Sequence, residues 1–334
     1  MQEDYDFIQE VNKMIQERVI NKDRNQQKPI NQHFVPESYQ KRFRGPDNVL
    51  WAYYFAHKKI LPNAQPRRIG SVPNLYTLTN KDGAANYYVE HFFGVLEEMS
   101  APVIEKILGE KEITEEERFW LCYFWGAHFC RSRDMIRSFQ SLFGELQMQG
   151  LRQKYHSLEE TKRLLDAESK YDPDITAEIL FEFVQSDEYY VAFERSSILP
   201  TVLRLIPEVV ETLWQSRITV LRAPEKKSFV TGDCSVILRA LDKPIKRIGF
   251  NVPGVARVMP IAWSHCLVSE SRGAGIRIET AEAGMVRRIN LAIASEAHEF
   301  ILGRSEELIT SLLKATSAEK RIWSSNFKIS TNTC

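Results

Sequence analysis

The densest apolar pattern in the chain runs from Phe119 to Cys130, where FWLCYFWGAHFC carries apolar side chains around every turn. A helix that is apolar all round has to be buried on all sides. Its start is written in the residues before it: Thr114 with Glu117 three positions on forms a capping box, and acidic residues crowd the first turn. The helical reading continues to Gln147. Into the dry run the chain inserts His128 and, close behind it, Arg131. A guanidinium keeps its proton, so a buried Arg131 requires a carboxylate or an anionic ligand from elsewhere in the fold.

Around this stretch the apolar spacing alternates between helical and strand periods. Phe7, Ile8, Val11, Ile15 and Val19 predict an amphipathic helix over 4–20, followed by the polar link NKDRNQQKPINQ. HFVPESYQKRF reads as a short helix started by Pro36, with Tyr39 and Phe43 turned inward. VLWAYYF (49–55) reads as a strand, and a loop rich in Pro and Gly to Thr79 holds a second short strand at 75–78. Tyr88, Phe92, Val95, Met99, Val103 and Ile107 form one helical stripe over 84–108, with Pro102 able to kink it. Several helices fill 157–214, one of them over 200–214. From Arg217 the character changes: ITVLRA, SFVTGD, ARVMPIAW and HCLVSE are short branched or aromatic runs between turn residues, hence strands. Residues 285–312 return to a helical period, and RIWSSNFKIS suggests an edge strand. The expectation is an α+β fold, predominantly helical, with a small and mainly C-terminal β-sheet. In domain terms this is an N-terminal helix and linker (1–31) and a single α+β domain (32–334). Within that domain lie a helical body (84–215), a sheet region (217–270) and closing helices (282–315).

Composition changes this picture in one respect. Net charge is zero over 334 residues, with 43% apolar and 26% charged positions, which is ordinary for a globular protein. The charges, however, are segregated. Residues 18–68 hold eleven Lys/Arg against three Asp/Glu, and residues 159–194 hold eleven acidic against three basic. The basic region is a candidate surface for an anionic ligand or a nucleic acid; the plainer reading is two solvated faces. Five cysteines with no C-x-x-C spacing suit a reducing cytoplasm, and no apolar run approaches the roughly 20 residues of a membrane helix. The chain therefore reads as cytoplasmic, soluble and without a membrane. The mobile composition of the link makes the N-terminal helix a candidate for packing on a neighbouring copy, giving a homo-oligomer.

Several segments together resemble a known family. HFVPESYQKRF is similar to the H-[FY]-[VI]-P-x-x-Y-x-x-x-F opening of the bacterial proteins grouped as domain-of-unknown-function family 4238. FWGAHFCRSR stands where that family shows a Q-x-x-R-T-P-like stretch, FVTGDCSV resembles its T-S-D-N-P-V strand and turn, and VRRINLAIASEAHEFILGRS resembles its closing helix. The resemblance covers roughly residues 32–310. His128 replaces the family's Gln, Ser132-Arg133 its Thr-Pro, and Thr231 to Ser235 read TGDCS; His33, Arg131 and Asp233 keep the family's residue types. The resemblance implies a bacterial, soluble fold and brings no assigned activity.

The candidate chemistry rests on those three residues. Asp233 follows a predicted strand and a Gly, a placement shared by catalytic carboxylates, metal ligands and plain Asx-turns. His33 is a candidate general base and, equally, a plug with one hydrogen bond. Arg131 pairs either with a structural carboxylate, Glu90, Glu97 and Glu98 being within reach, or with a ligand phosphate. His128 reads more readily as a core histidine than as a ligand-binding one. No P-loop, G-x-G-x-x-G, H-E-x-x-H, G-x-S-x-G or zinc spacing is present, which weighs against kinase, dehydrogenase, hydrolase-elbow and zinc-module readings. Two readings stay open, with enzyme status uncertain. One is a hydrolase of a nucleotide or nucleic acid. In it Asp233 holds a divalent cation, His33 acts as base and Arg131 meets developing phosphate charge, with Arg42, Arg44 and His128 on the substrate. The other is a non-enzymatic binding or sensing module working through the basic region or the N-terminal helix.

Overall fold

The computed structural model describes residues 11, 13–22, 28–167, 174–240, 249–273 and 275–323. The chain divides into two compact units, one of residues 1–133 with 203–334 and one of residues 134–202. The first begins with α1 (residues 13–22), β1 (Asn31–His33), α2 (Glu37–Lys41), β2 (Trp51–Tyr54) and β3 (Lys59–Leu61). A 3-10 turn (Pro66–Arg68) leads to β4 (Ser71–Pro73), β5 (Leu78–Thr79) and β6 (Ala85–Asn86), then to the long helices α3 (Tyr88–Leu108) and α4 (Glu115–Cys130). The second unit is built from α5 (Arg133–Lys154), α6 (Leu158–Ala167), α7 (Ala177–Gln185) and α8 (Arg195–Arg204). The chain closes with α9 (Ile206–Trp214), β7 (Ser216–Arg222), β8 (Thr231–Gly232), β9 (Ile237–Ala240), β10 (Val255–Pro260), β11 (His265–Arg272), β12 (Ile276–Thr280), α10 (Ala283–Glu296), β13 (Phe300–Gly303) and α11 (Glu306–Trp323).

The fold is α+β. A five-stranded sheet has the order β12-β7-β11-β10-β9, with β12 parallel to β7 and the other pairs antiparallel. A four-stranded antiparallel sheet runs β3-β2-β13-β8. Two of its strands come from residues 51–61, the stretch that includes the strand expected at 49–55, and they join β13 and β8 from the later part of the chain. The pattern misses β13: FILG is four apolar residues between two helical periods, too short to interrupt a 3.6-residue reading. Expected as one helix over 285–312, this region is helix, strand and helix. Leu221, Phe229, Val230, Val258, Val286, Ile293, Ile301 and Leu312 form the core cluster that β13 completes. The edge strand expected from RIWSSNFKIS falls at 321–330, where 321–323 end α11 and the rest lies outside the described residues.

The apolar helix behaves as its pattern requires. Thr114 caps it, with both halves of the capping box present, and Phe119 to His128 are buried without a break. α4 packs on α3 and α9, and Gly126 lets α9 come close: a Cβ there would sit 3.1 Å from both Val209 and Val210. The expected single helix over 114–147 ends at Cys130 instead. Ser132 Oγ donates to the Phe129 carbonyl at 3.0 Å, a local bond that competes with helix continuation, and α5 starts anew at Arg133. On α3 the expected Val95, Val103 and Ile107 are buried, while Val89, Phe93 and Ser100 are buried one position along from the expected Tyr88, Phe92 and Met99, and Pro102 is accommodated inside one continuous helix. Val11, just ahead of α1, is buried with Ile15 and Val19 against the body of its own chain, and Lys22 bonds Glu98 of α3 at 2.6 Å. Three of the five residues of the expected apolar face are thus buried within the chain itself; residues 4–10 of that expected helix lie outside the described ones.

In the second unit, Arg152 of α5 holds the end of α7 through the Ser186 carbonyl (2.6 Å) and Asp187 (2.7 Å), while Lys162 of α6 pairs with Glu178 of α7 at 2.9 Å.

Candidate functional site

Arg131 sits at the C-terminal end of α4 and is 2% exposed. Its Nη1 donates to Glu97 Oε1 at 2.6 Å, and Nη2 donates to the main-chain carbonyl of His33. Its guanidinium carbon lies 4.4 Å from the Phe93 ring centroid, and its own carbonyl accepts the Tyr76 hydroxyl at 2.5 Å. Burial works against this charge, but Glu97, Tyr76 and Glu90 hold it and raise its pKa. The one arginine thereby ties α4 to α3 and to β1, which carries His33.

His33 pairs with Ser71 in the β1–β4 ladder. Burial and the nearby Arg131 charge lower its ring pKa, so the imidazole is neutral at pH 7. Glu90, one turn below Phe93 on α3, lies against the His33 backbone. Burial raises its carboxyl to about 7, against the pull of Arg131 and with Glu97 adding to the rise. Three buried polar atoms of this cluster, His33 Nε2, Glu90 Oε2 and Arg131 Nε, bond to no other protein atom among the described residues. The cluster therefore joins a neutral histidine, a carboxyl poised near neutrality and a paired arginine.

Asp233 belongs to a different arrangement. It lies just past β8, 6% exposed, and its two oxygens accept the backbone N–H of His298 at 3.1 Å each, with Phe300 N–H a further 3.3 Å bond to Oδ1. Burial raises its pKa while these N–H groups pull it down. Gly232 beside it could not carry a side chain, because a Cβ would come within 2.8 Å of the Phe300 carbonyl. Asp233 thus closes the turn into β13, the role of an Asx-type tie. Of His33, Arg131 and Asp233, the first two adjoin, and Asp233 bonds to neither. His128 is 1% exposed, with Nδ1 3.1 Å from Ser235 Oγ and its ring 4.3 Å from Phe124 and 4.7 Å from Tyr39. Burial pushes its pKa well down, so it is a neutral core histidine.

Arg42 and Arg44 follow α2 at the surface. Arg42 Nε reaches Glu105 at 3.3 Å, and Arg44 bonds Asn48 at 3.0 Å. The Arg42 carbonyl accepts the backbone N–H of Trp263 at 3.0 Å. Trp263 stands at the tip of the β10–β11 hairpin, 38% exposed, with the Arg304 guanidinium 4.3 Å from its ring centroid. The loop carrying Lys226 and Lys227 is pinned beside the same tip, by Ala223 N–H to the Ser264 carbonyl and Phe229 N–H to the Trp263 carbonyl, each 2.7 Å.

Compared with known families, the chain matches the one described as "Protein of unknown function (DUF4238)" over residues 31–307. It belongs to that family. No curated protein and no solved structure matches it. The DUF4238 match runs from β1 to the start of α11 and includes both the buried cluster and the hairpin. Among the described residues, no helix is long and apolar enough to cross a membrane. In this DUF4238 chain the HFVP opening is the strand end and helix start that Arg131 grips. The carboxylates that grip it in turn, Glu90 and Glu97, are readable as neighbours of Arg131. Trp263, Arg304, Lys226 and Lys227 are not: ARVMPIAW reads as one buried strand, and the tip that exposes its final Trp is formed by partners distant in sequence.

Proposed function

We propose that this DUF4238 chain is a binding module for an anionic partner, engaged through the basic surface around α2, the β10–β11 hairpin and the Pro66–Arg68 turn. The observation that carries this reading is the contrast in charge matching. Arg131 in the interior has its carboxylate, and Asp233 has its N–H donors. At the surface, Arg44, Arg67, Arg68, Lys226, Lys227 and Arg304 make no ion pair among the described residues. Unmatched surface cations are what raise the local concentration of an anion. The test is retention on heparin at about 50 mM salt with a salt gradient, where neutralising phosphates or sulfates gives a steep dependence. Arg44→Glu with Arg67→Glu and Arg68→Glu should elute early with an unchanged Tm; unaltered retention removes the reading.

A second reading, hydrolysis of a phosphate-bearing substrate, has one observation in its favour: Glu90 poised near neutrality beside a neutral His33, both with a buried polar atom that makes no protein bond. In that reading Glu90 is a second proton-transfer group beside His33, the base expected from the sequence. Nucleotide and phosphodiester turnover, with and without divalent cations, decides between the two. Activity abolished by Glu90→Gln in a folded protein would put the hydrolase reading first.

A further inference from the structure

Cationic side chains come from three separate segments that pack at the hairpin tip. Arg42 and Arg44 end α2, Lys226 and Lys227 sit on the pinned loop, and Arg304 follows β13. These segments are in direct register. Gly45 lies so close to the Arg304 carbonyl that a Cβ would approach it to 2.8 Å, and the Trp263 backbone bonds residues 42 and 229. Of the acidic residues near it, Glu105 is paired with Arg42 and Glu110 with Arg222, while Asp47 and Glu225 stand against Arg44, Lys226, Lys227 and Arg304, so the patch keeps a positive excess. In its centre is an indole that stays 38% exposed although both sides of its backbone are hydrogen-bonded in place.

Arg304 lies over the Trp263 ring and covers one face, and what stays exposed of the indole is a π surface beside positive charge. An acidic protein face would use the charge and leave the ring unexplained. A duplex offers phosphates, but its base faces are stacked away. A single strand offers both, phosphates for the cations and base faces for the ring. We infer that the tip of the β10–β11 hairpin is a stacking site for single-stranded nucleic acid, with Trp263 as the platform and Arg44, Lys226, Lys227 and Arg304 tracking the phosphates. This rests on the anionic-partner reading and adds the class of partner to it.

The experiment uses the full chain with a fluorescein-labelled 20-mer of deoxythymidine, a duplex of equal length, and heparin as competitor, by anisotropy at about 50 mM salt. The single strand should bind more tightly than the duplex. Trp263→Ala should weaken it about tenfold, within the range that loss of one base stack produces. Trp263→Phe, which keeps a ring, should retain most of the affinity, and thermal unfolding of each variant checks that the fold is kept. Equal affinity for strand and duplex, or no loss in Trp263→Ala, overturns the stacking site while heparin binding leaves the anionic reading standing. Failure of both oligonucleotides and heparin to bind overturns both.

Discussion

Arg131 lies 4.4 Å from the ring centroid of Phe93, and Arg304 lies 4.3 Å from that of Trp263. The stacking distance is the same; the surroundings are opposite. Arg131 is 2% exposed and has a carboxylate 2.6 Å away, a main-chain carbonyl on its other nitrogen and a second carboxyl nearby. Arg304 is half-buried on the rim of an exposed indole and has no ion pair among the described residues. The difference separates two uses of one side chain. A buried guanidinium must be satisfied by the fold itself, because the cost of taking it out of water is several kcal/mol. A guanidinium at the rim carries no such debt, so its charge stays available to a partner. By this criterion the interior site reads as an anchor and the hairpin tip as a contact.

The sharpest way to break the comparison is to remove the anchor. Arg131→Ala leaves Glu97 without its cation and the His33 carbonyl without its donor. Loss of one partner of a buried pair costs about 3–5 kcal/mol, so the urea midpoint should fall further than for Asp233→Asn, Glu90→Gln or Arg304→Ala. Arg131→Lys should recover only part, since one ammonium cannot span Glu97 and His33 in the fork geometry of a guanidinium. A loss below about 1 kcal/mol would mean that the pair is dispensable and that Arg131 is free to serve a ligand.

Next in size is Asp233. Changing it to Asn replaces one acceptor oxygen by an N–H that faces the backbone N–H groups of His298 and Phe300. The expected cost is about 2 kcal/mol in denaturant unfolding, from unsatisfied buried donors. A fully stable Asp233→Asn would instead return Asp233 to the list of groups kept for chemistry.

How far such roles are legible in sequence depends on how local their causes are. The need of Arg131 for a carboxylate can be read because the apolar run around it leaves no water, and Glu97 is among the three acids within reach. The capping box at Thr114 involves four consecutive positions and can be read for the same reason. Glu98, equally near in sequence, goes to Lys22, a choice decided by the packing of α1. Trp263 is the opposite case. Its last-in-strand position is local, yet its exposure depends on a β-turn, on the Arg42 carbonyl far back in the chain and on Arg304 from a strand hidden in a helical period. Asp233 lies between: its turn is suggested by the Gly before it, but the N–H groups that occupy it come from residues 298–300.

An effect that sharpens the picture of the anchor is its pH dependence. Glu90 has its folded pKa raised by burial to about 7 from an unfolded value near 4.5, so the folded state holds the proton more tightly. The resulting stability is complete below about pH 4.5 and is lost as pH rises through about 7, a change of about 3 kcal/mol. His33, with its pKa lowered, acts in the other sense: its contribution is lost as pH falls below its ordinary 6.5. Comparing wild type with Glu90→Gln cancels the histidine, which both share. Their stability difference, measured by urea unfolding from pH 4.5 to 8.5, should move in favour of the Gln variant as pH rises. A flat difference would show that Glu90 is ionised throughout, and the neutral-pH acid of the hydrolase reading would go with it.

The smallest stability effect is expected at the contact itself, where the comparison with Arg131 is most direct. Arg304→Ala removes a guanidinium stacked at the same distance as Arg131 but leaves no carboxylate unpaired. An exposed cation–π pair is worth about 0.5–1 kcal/mol, so the unfolding midpoint should shift slightly where Arg131→Ala shifts it several-fold more. On the oligonucleotide the order should reverse: Arg304→Ala lowers single-strand affinity and flattens its salt dependence by about one phosphate contact, because that charge is held for the partner and not for the fold. If Arg304→Ala proved as destabilising as Arg131→Ala, the rim would be an anchor too, and exposure would not distinguish the two uses.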